Sequence, residues 1–111
     1  WGAPGRVEWR RFRFRDSVLA MLPPLDNPHQ RTALEFVVAE RQRQDRKWGQ
    51  QDHLPAVWES ILGEEAGEVS KEVNRIAFGG HDHVLWLEEM VQVAAVAVAA
   101  IESELRRREA K

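Results

Sequence analysis

From residue 29 onward apolar residues return every three or four positions, the period of an α-helix rather than a strand. The first such segment spans about 29 to 48. It follows Pro28, carries Leu34, Phe36, Val37 and Val38 on its apolar side, becomes strongly charged in "ERQRQDRK", and meets Gly49. A polar loop, "GQQDHL", leads to a second segment that opens at Pro55, a residue suited to the first turn, and runs to about Phe78. Gly79 and Gly80 stop it. "HDH" at 81–83 offers Asp82 as the N-cap of a third segment, about 84 to 108. No strand pattern, internal repeat or low-complexity run appears after residue 29. The pattern predicts an all-α domain over 29–108, an antiparallel helical bundle.

Residues 1–28 read differently. "WGAPG" and "LPPLDNP" are turn material. Between them "EWRRFRFRD" alternates apolar and basic from Phe12 to Arg15, a faint strand signal. Residues 1–15 hold five Arg and one Glu, a local charge of +4 in a chain whose net charge is −2. Arginines interleaved with Trp9, Phe12 and Phe14 have the make-up of a nucleic-acid arm. A poorly ordered extension is the plainer reading.

The helical wheel makes the second segment unusual. With Glu65 at zero and about 100° per residue, Trp58, Val69 and Ile76 fall within about 40° of it, and Ile61 and Leu62 within about 60°. Glu65 therefore sits inside the apolar stripe, with Glu72 about 20° and Glu68 about 60° away, while Glu64 lies at the stripe's polar edge near Lys71 and Arg75. The third segment repeats the arrangement. Leu85, Val93, Val96 and Ala100 lie within about 40° of Glu89, with Gln92 about 60° to one side and Glu88 offset. A carboxylate taken out of water without a partner shifts its pKa or finds a cation. If the two helices pack as neighbours, Glu65, Glu68, Glu89 and Gln92 converge. Three carboxylates and an amide oxygen are a ligand set for a hard divalent ion, Mg²⁺ or Mn²⁺.

At this point the chain resembles the MazG-like family of all-α nucleotide pyrophosphohydrolases, which carries the acidic motifs EExxE and, further on, ExxD. Here they read "EEAGE" at 64–68 and "EMVQ" at 89–92; "ERQRQDRKWGQQDH" (40–53) and "VQVAAVAVAAIE" (91–102) are also similar to that family, over about residues 30 to 106. The resemblance implies hydrolysis of nucleoside triphosphates to the monophosphate and pyrophosphate. By motif position Glu65, Glu68 and Glu89 match metal ligands, and Glu64 matches the acidic residue that orients the attacking water. Gln92 departs from the motif, which expects Asp; an amide still ligates a hard cation but removes one negative charge.

Four further side chains are candidate substrate contacts. Lys71 and Arg75, on Glu64's side of the wheel, can reach phosphate; equally, they can pair with Glu68 and Glu72 at i+3 spacing. Trp48, beside Lys47 at the end of the first helix, can stack on a base or serve as a packing aromatic. His53, His81 and His83 lack the helical spacing of a zinc pair, and no serine has the setting of a nucleophile. The chain has no Cys, which excludes disulfides and thiolate chemistry. The apolar run 90–101 is too short to span a bilayer, no signal peptide is visible, and a cytoplasmic protein is expected. From Met90 to Ile101 the third helix is apolar nearly all round, which predicts a subunit interface: a homodimer or homotetramer that completes the bundle.

Overall fold

The computed structural model describes residues 26–80 and 82–110. Within them the chain forms three helices and no strand: α1 (Pro28–Trp48), α2 (Pro55–Ala77) and α3 (Val84–Glu109). The expectations for the Arg-rich arm and the strand signal at 12–15 lie outside the described residues.

Local chemistry sets the helix ends. The Asn27 side chain accepts from the His29 and Gln30 N–H groups at 3.0 and 3.1 Å, and Pro28 occupies the first turn, so α1 starts one residue earlier than its pattern suggested. It ends where Gly49 takes φ 73° and donates its N–H to the Asp45 carbonyl. Helix α2 gives way at Phe78 and Gly79, the latter at φ 111°, a left-handed value that favours glycine. The start of α3 corrects the sequence reading: the N-cap is His83, not Asp82. Asp82 stands one residue earlier and its Oδ1 accepts the Val84 N–H at 2.8 Å, so its carboxylate still ties down the first turn, two residues on.

Arg75 closes the turn between α2 and α3. It donates to Glu72 Oε2 at 2.6 Å and to the Asp82 carbonyl at 2.7 Å. A Cβ at Gly80 would come within 2.6 Å of Arg75 Nη1 and 3.0 Å of the Arg75 carbonyl oxygen, so a side chain there would displace the guanidinium that closes the turn.

Helix α3 is central. It packs against both α2 and α1, which do not pack against each other. The α2–α3 pair is antiparallel: Trp58, near the start of α2, meets Val96 and Ala99, while the far end of α2 reaches the start of α3 through Arg75. The apolar core is small. Trp58, Val96 and Ala99 form it, with Ile61, Leu62 and Ala100 packed around. No large side chain among the described residues is fully buried, and α1 has no buried residue. Ion pairs tie α1 and the loop after it to α3: from α1 Arg41 donates to both oxygens of Glu102 at 2.7 and 2.9 Å, and Arg106 of α3 donates to Asp52 Oδ1 at 2.8 Å and to the Gln51 carbonyl in that loop. Leu34, Phe36 and Val38 on α1, and Leu87, Ile101 and Leu105 on α3, stand exposed. The run 90–101 reads as too short to span a bilayer, but the whole of α3 is long and apolar enough by length and composition, its window having mean hydropathy 1.8 and being 17% buried; one such helix is weak evidence for a membrane span.

Candidate functional site

The antiparallel α2–α3 contact brings Glu65 and Glu89 inward, as the wheels predict. Both are partly buried, and each has one oxygen, Oε2, that is buried without a hydrogen-bond partner. A carboxylate oxygen in that position has lost its water and gained nothing. The electrostatics agree. Burial, and then the charges of Glu68, Glu40 and Glu64, push the Glu65 carboxyl above its ordinary range, with Arg43 pulling weakly the other way. Glu89 is raised by burial and then by Glu65, Glu68, Glu72 and Glu88. The carboxylates of Glu65, Glu68 and Glu72 thus raise Glu89 across the helix pair, although Glu68 itself stands exposed and paired with Lys71.

They do not close into a ligand cage. Among the described residues no group of three or more His, Cys, Asp or Glu stands where it could jointly hold a metal ion. The donor set nevertheless fits a hard divalent ion: the donors are oxygens, mostly anionic, and two of them are orphaned in a buried place.

Beside the carboxylates lies a cleft of about 270 Å³ between the three helices. Glu64, Glu65 and Gln92 line it from α2 and α3, Glu40, Arg43 and Trp48 from α1, and Trp58 also lines it. The indole N–H of Trp58 is buried and unpartnered. Trp48 is half exposed, with the Lys47 ammonium 4.6 Å and the Arg43 guanidinium 5.9 Å from its ring centre. The basic residues on α2 are engaged elsewhere. Lys71 pairs with Glu68 at 3.1 Å on the surface, and Arg75 is held by Glu72 and the interhelical turn. The i+3 ion pairs weighed in the sequence are therefore the arrangement found. His53 packs edge-on against Trp58, with ring centres 4.9 Å apart; His83 stands at the N-cap position of α3 without a side-chain capping bond, and His81 lies outside the described residues.

Two residues escaped the sequence reading. Glu40 is an α1 carboxylate whose side chain is 12% exposed; Arg43 grips both its oxygens, at 2.8 and 2.7 Å, and holds its carboxyl below the ordinary range. It is close enough to raise Glu65. Arg43 opposes that rise. Both sit in "ERQRQDRK", which reads as a solvated charged run. The signal was present in its spacing: Val37, Glu40, Arg41 and Gln44, the half-buried residues of α1, recur at three- and four-residue steps and form its inward stripe.

The fold and the site define an all-helical protein with an acidic, interhelical cleft. No family model, no curated protein and no solved structure matches the chain.

Proposed function

We propose that the protein is a Mg²⁺-dependent nucleoside triphosphate pyrophosphohydrolase of the MazG-like kind, with Mn²⁺ as a substitute ion. One observation carries the reading: Glu65 and Glu89 each keep a buried oxygen that nothing among the described residues satisfies, and the Glu65 charge reaches Glu89. The motif resemblance at 64–68 and 89–92 supplies the reaction. Glu65, Glu68, Glu89 and Gln92 would hold the ion. When bound, it neutralises the triphosphate and polarises the phosphorus centre. Glu64, exposed at the cleft's edge, would orient the attacking water. Trp48 would offer its face to a base, with Lys47 and Arg43 beside it to meet negative charge. Lys71, Arg75 and Arg43 would each reach phosphate only by leaving a carboxylate partner, Glu68, Glu72 and Glu40 respectively; of the three, Arg43 is the one that lines the cleft. The small core further supports an oligomeric bundle, dimer or tetramer, and a cytoplasmic setting accords with a nucleotide substrate.

Gln92 favours a second reading, a nucleotide-binding regulatory module that turns over slowly, because the cleft has an amide where the motif carries a carboxylate. A panel of dNTPs and NTPs with Mg²⁺, with product analysis, separates the two. Release of pyrophosphate and the monophosphate supports the enzyme; saturable binding without products supports the module. Gln92→Asp should tighten Mn²⁺ binding about tenfold by adding one charged ligand, read by calorimetric titration. Unchanged affinity would put Gln92 outside the ligand set.

A further inference from the structure

The cleft between the helices is lined by four carboxylates, Glu40, Asp45, Glu64 and Glu65, and by two guanidiniums, Arg41 and Arg43. Such a wall is acidic, so a polyphosphate entering it needs, besides a divalent ion, a cation that the wall can release.

Arg41 is not releasable. Its guanidinium is engaged at every nitrogen, with Glu102, Asp45 and Gln44. Arg43 is placed differently. Its Nε and Nη2 donate to the two oxygens of Glu40 at 2.8 and 2.7 Å, and its guanidinium carbon stands 5.9 Å from the Trp48 ring centre. The two partners differ in exposure: the Arg43 side chain is 46% exposed and that of Glu40 12%. Rotation of one exposed side chain therefore parts them, without movement of the backbone.

Glu40 is held where it is by other groups. Gln44 Nε2 donates to its Oε2 at 3.3 Å, and that amide is oriented in turn by Arg41, which donates to Gln44 Oε1 at 2.9 Å. Lys47 also favours the Glu40 charge. A Glu40 that loses Arg43 thus keeps a hydrogen-bond donor and a second cation's field, and is spared the full cost of an orphaned buried charge. The pair stands beside the proposed ion ligands, since Glu40 raises and Arg43 lowers the Glu65 carboxyl.

We infer that Arg43 is exchanged between Glu40 and the substrate: the guanidinium leaves the carboxylate for the phosphate chain as the cleft fills, and Glu40 takes it back as the product departs. The planar fork of arginine suits both partners, because carboxylate and phosphate each accept two parallel N–H bonds. Glu40 is then a positioning residue that acts through Arg43. It lowers phosphate affinity by the share of Arg43 that it holds, which keeps the cleft from retaining released phosphates. This deepens the nucleotide reading above and rests on it for the chemistry of the ligand, a polyphosphate.

A double-mutant cycle on the full chain tests the exchange, with inorganic tripolyphosphate and Mg²⁺ as the probe and calorimetric titration as the readout. Arg43→Gln should weaken binding at least about tenfold, the loss of a charge-assisted contact. Glu40→Gln should tighten it about fivefold, since the guanidinium no longer has to leave an ion pair. In the Arg43→Gln background the same Glu40→Gln change should bring no gain. Arg43→Lys, which keeps the charge without the fork, should fall between Arg43→Gln and the unmodified chain. A gain that persists without Arg43 would be a plain effect of charge in the cleft and overturns the exchange. So does a Glu40→Gln chain that binds no tighter than the unmodified one, and so does an absence of tripolyphosphate binding in all four chains of the cycle. Products from a dNTP are read separately. The predicted cycle without pyrophosphate release overturns the pyrophosphohydrolase alone, and release without coupling between residues 40 and 43 overturns the exchange alone.

Discussion

Glu89 and Glu102 lie on the same helix and meet opposite surroundings. Glu102 receives two hydrogen bonds from Arg41, and that guanidinium holds its carboxyl below the ordinary range. Glu89 has a buried oxygen with no partner, and burial together with Glu65, Glu68 and Glu72 holds its carboxyl above it. The α1–α3 contact is electrostatically complete within the chain. The α2–α3 contact is not, although it contains the apolar core. A folded protein pairs the carboxylates it uses as struts; those it buries unpaired lower its stability and are candidates for another role.

The sharpest way to break this contrast is to remove charge from the unpaired side. Glu65→Gln and Glu89→Gln should each lower Mn²⁺ affinity by at least about 100-fold, beyond the 10–100-fold typical of groups that merely support ligands. Pyrophosphate release should disappear with it. In chelator the same variants should melt at higher temperature than the unmodified chain, because an amide removes the repulsion without removing the packing. Calorimetric titration and thermal melts read the two effects. A lower melting temperature would make Glu65 and Glu89 struts like Glu102, and the contrast would fail.

On the paired side the sign reverses. Arg41→Ala leaves Glu102 without its partner, with the Arg41 side chain 12% and the Glu102 side chain 36% exposed. The expected loss is about 1–2 kcal/mol in urea unfolding, discounted for solvent at the carboxylate. Glu102→Gln in the Arg41→Ala background should cost little more, and metal affinity should stay within twofold of the unmodified chain. The double-mutant cycle tests whether the pair acts as a unit.

Acidity acts on both sides at once. Glu65 and Glu89 have folded pKa values above the unfolded 4.5, so their ionisation opposes folding and protonation relieves it. Glu102 and Glu40 lie below 4.5, so the stability they give is present above that value and lost as pH falls through their folded values. In chelator the melting temperature should therefore rise as pH falls from neutrality toward 4.5 and drop below it. With Mn²⁺ the upper limb should invert, since the ligands must be ionised to bind. A monotonic fall with acid in chelator would show that the paired carboxylates alone govern stability.

The helices and the acidic stripe were legible because both are one-dimensional signals. Pro28, Pro55, Gly49 and Gly79 mark ends through backbone geometry that one residue imposes, and a wheel places Glu65 and Glu89 without knowledge of the neighbour. The site's third wall was not legible. Glu40 and Arg43 join it through packing of α1 on α3, which depends on Arg41–Glu102 and Asp52–Arg106, pairs formed between residues far apart in sequence. A charge run conceals such choices, since Arg41, Arg43 and Arg46 all stand in it and its composition does not single out the one that pairs. The partners of Lys71 and Arg75 could be enumerated from i+3 spacing, but choosing between carboxylate and substrate needed coordinates. The cap of α3 moved by one residue for a similar reason: Asp82 bonds two residues ahead, an option that "HDH" equally allows.

The smallest expected effect tests whether the two faces of α2 are independent. Gly63 and Gly67 immediately precede Glu64 and Glu68 but lie on the side away from Glu65. An added Cβ meets nothing within 4 Å at either position, and neither has a left-handed φ. Alanine should therefore stabilise by about 0.4–1 kcal/mol at each site through reduced freedom of the unfolded chain. Urea unfolding of Gly63→Ala and Gly67→Ala should show that gain, and Mn²⁺ affinity should not change. A gain in stability accompanied by a loss of affinity would mean that the acidic residues need a yielding backbone beneath them. The two glycines would then belong to the site, and the division between a structural outer face and a chemical inner face of α2 would have to be redrawn.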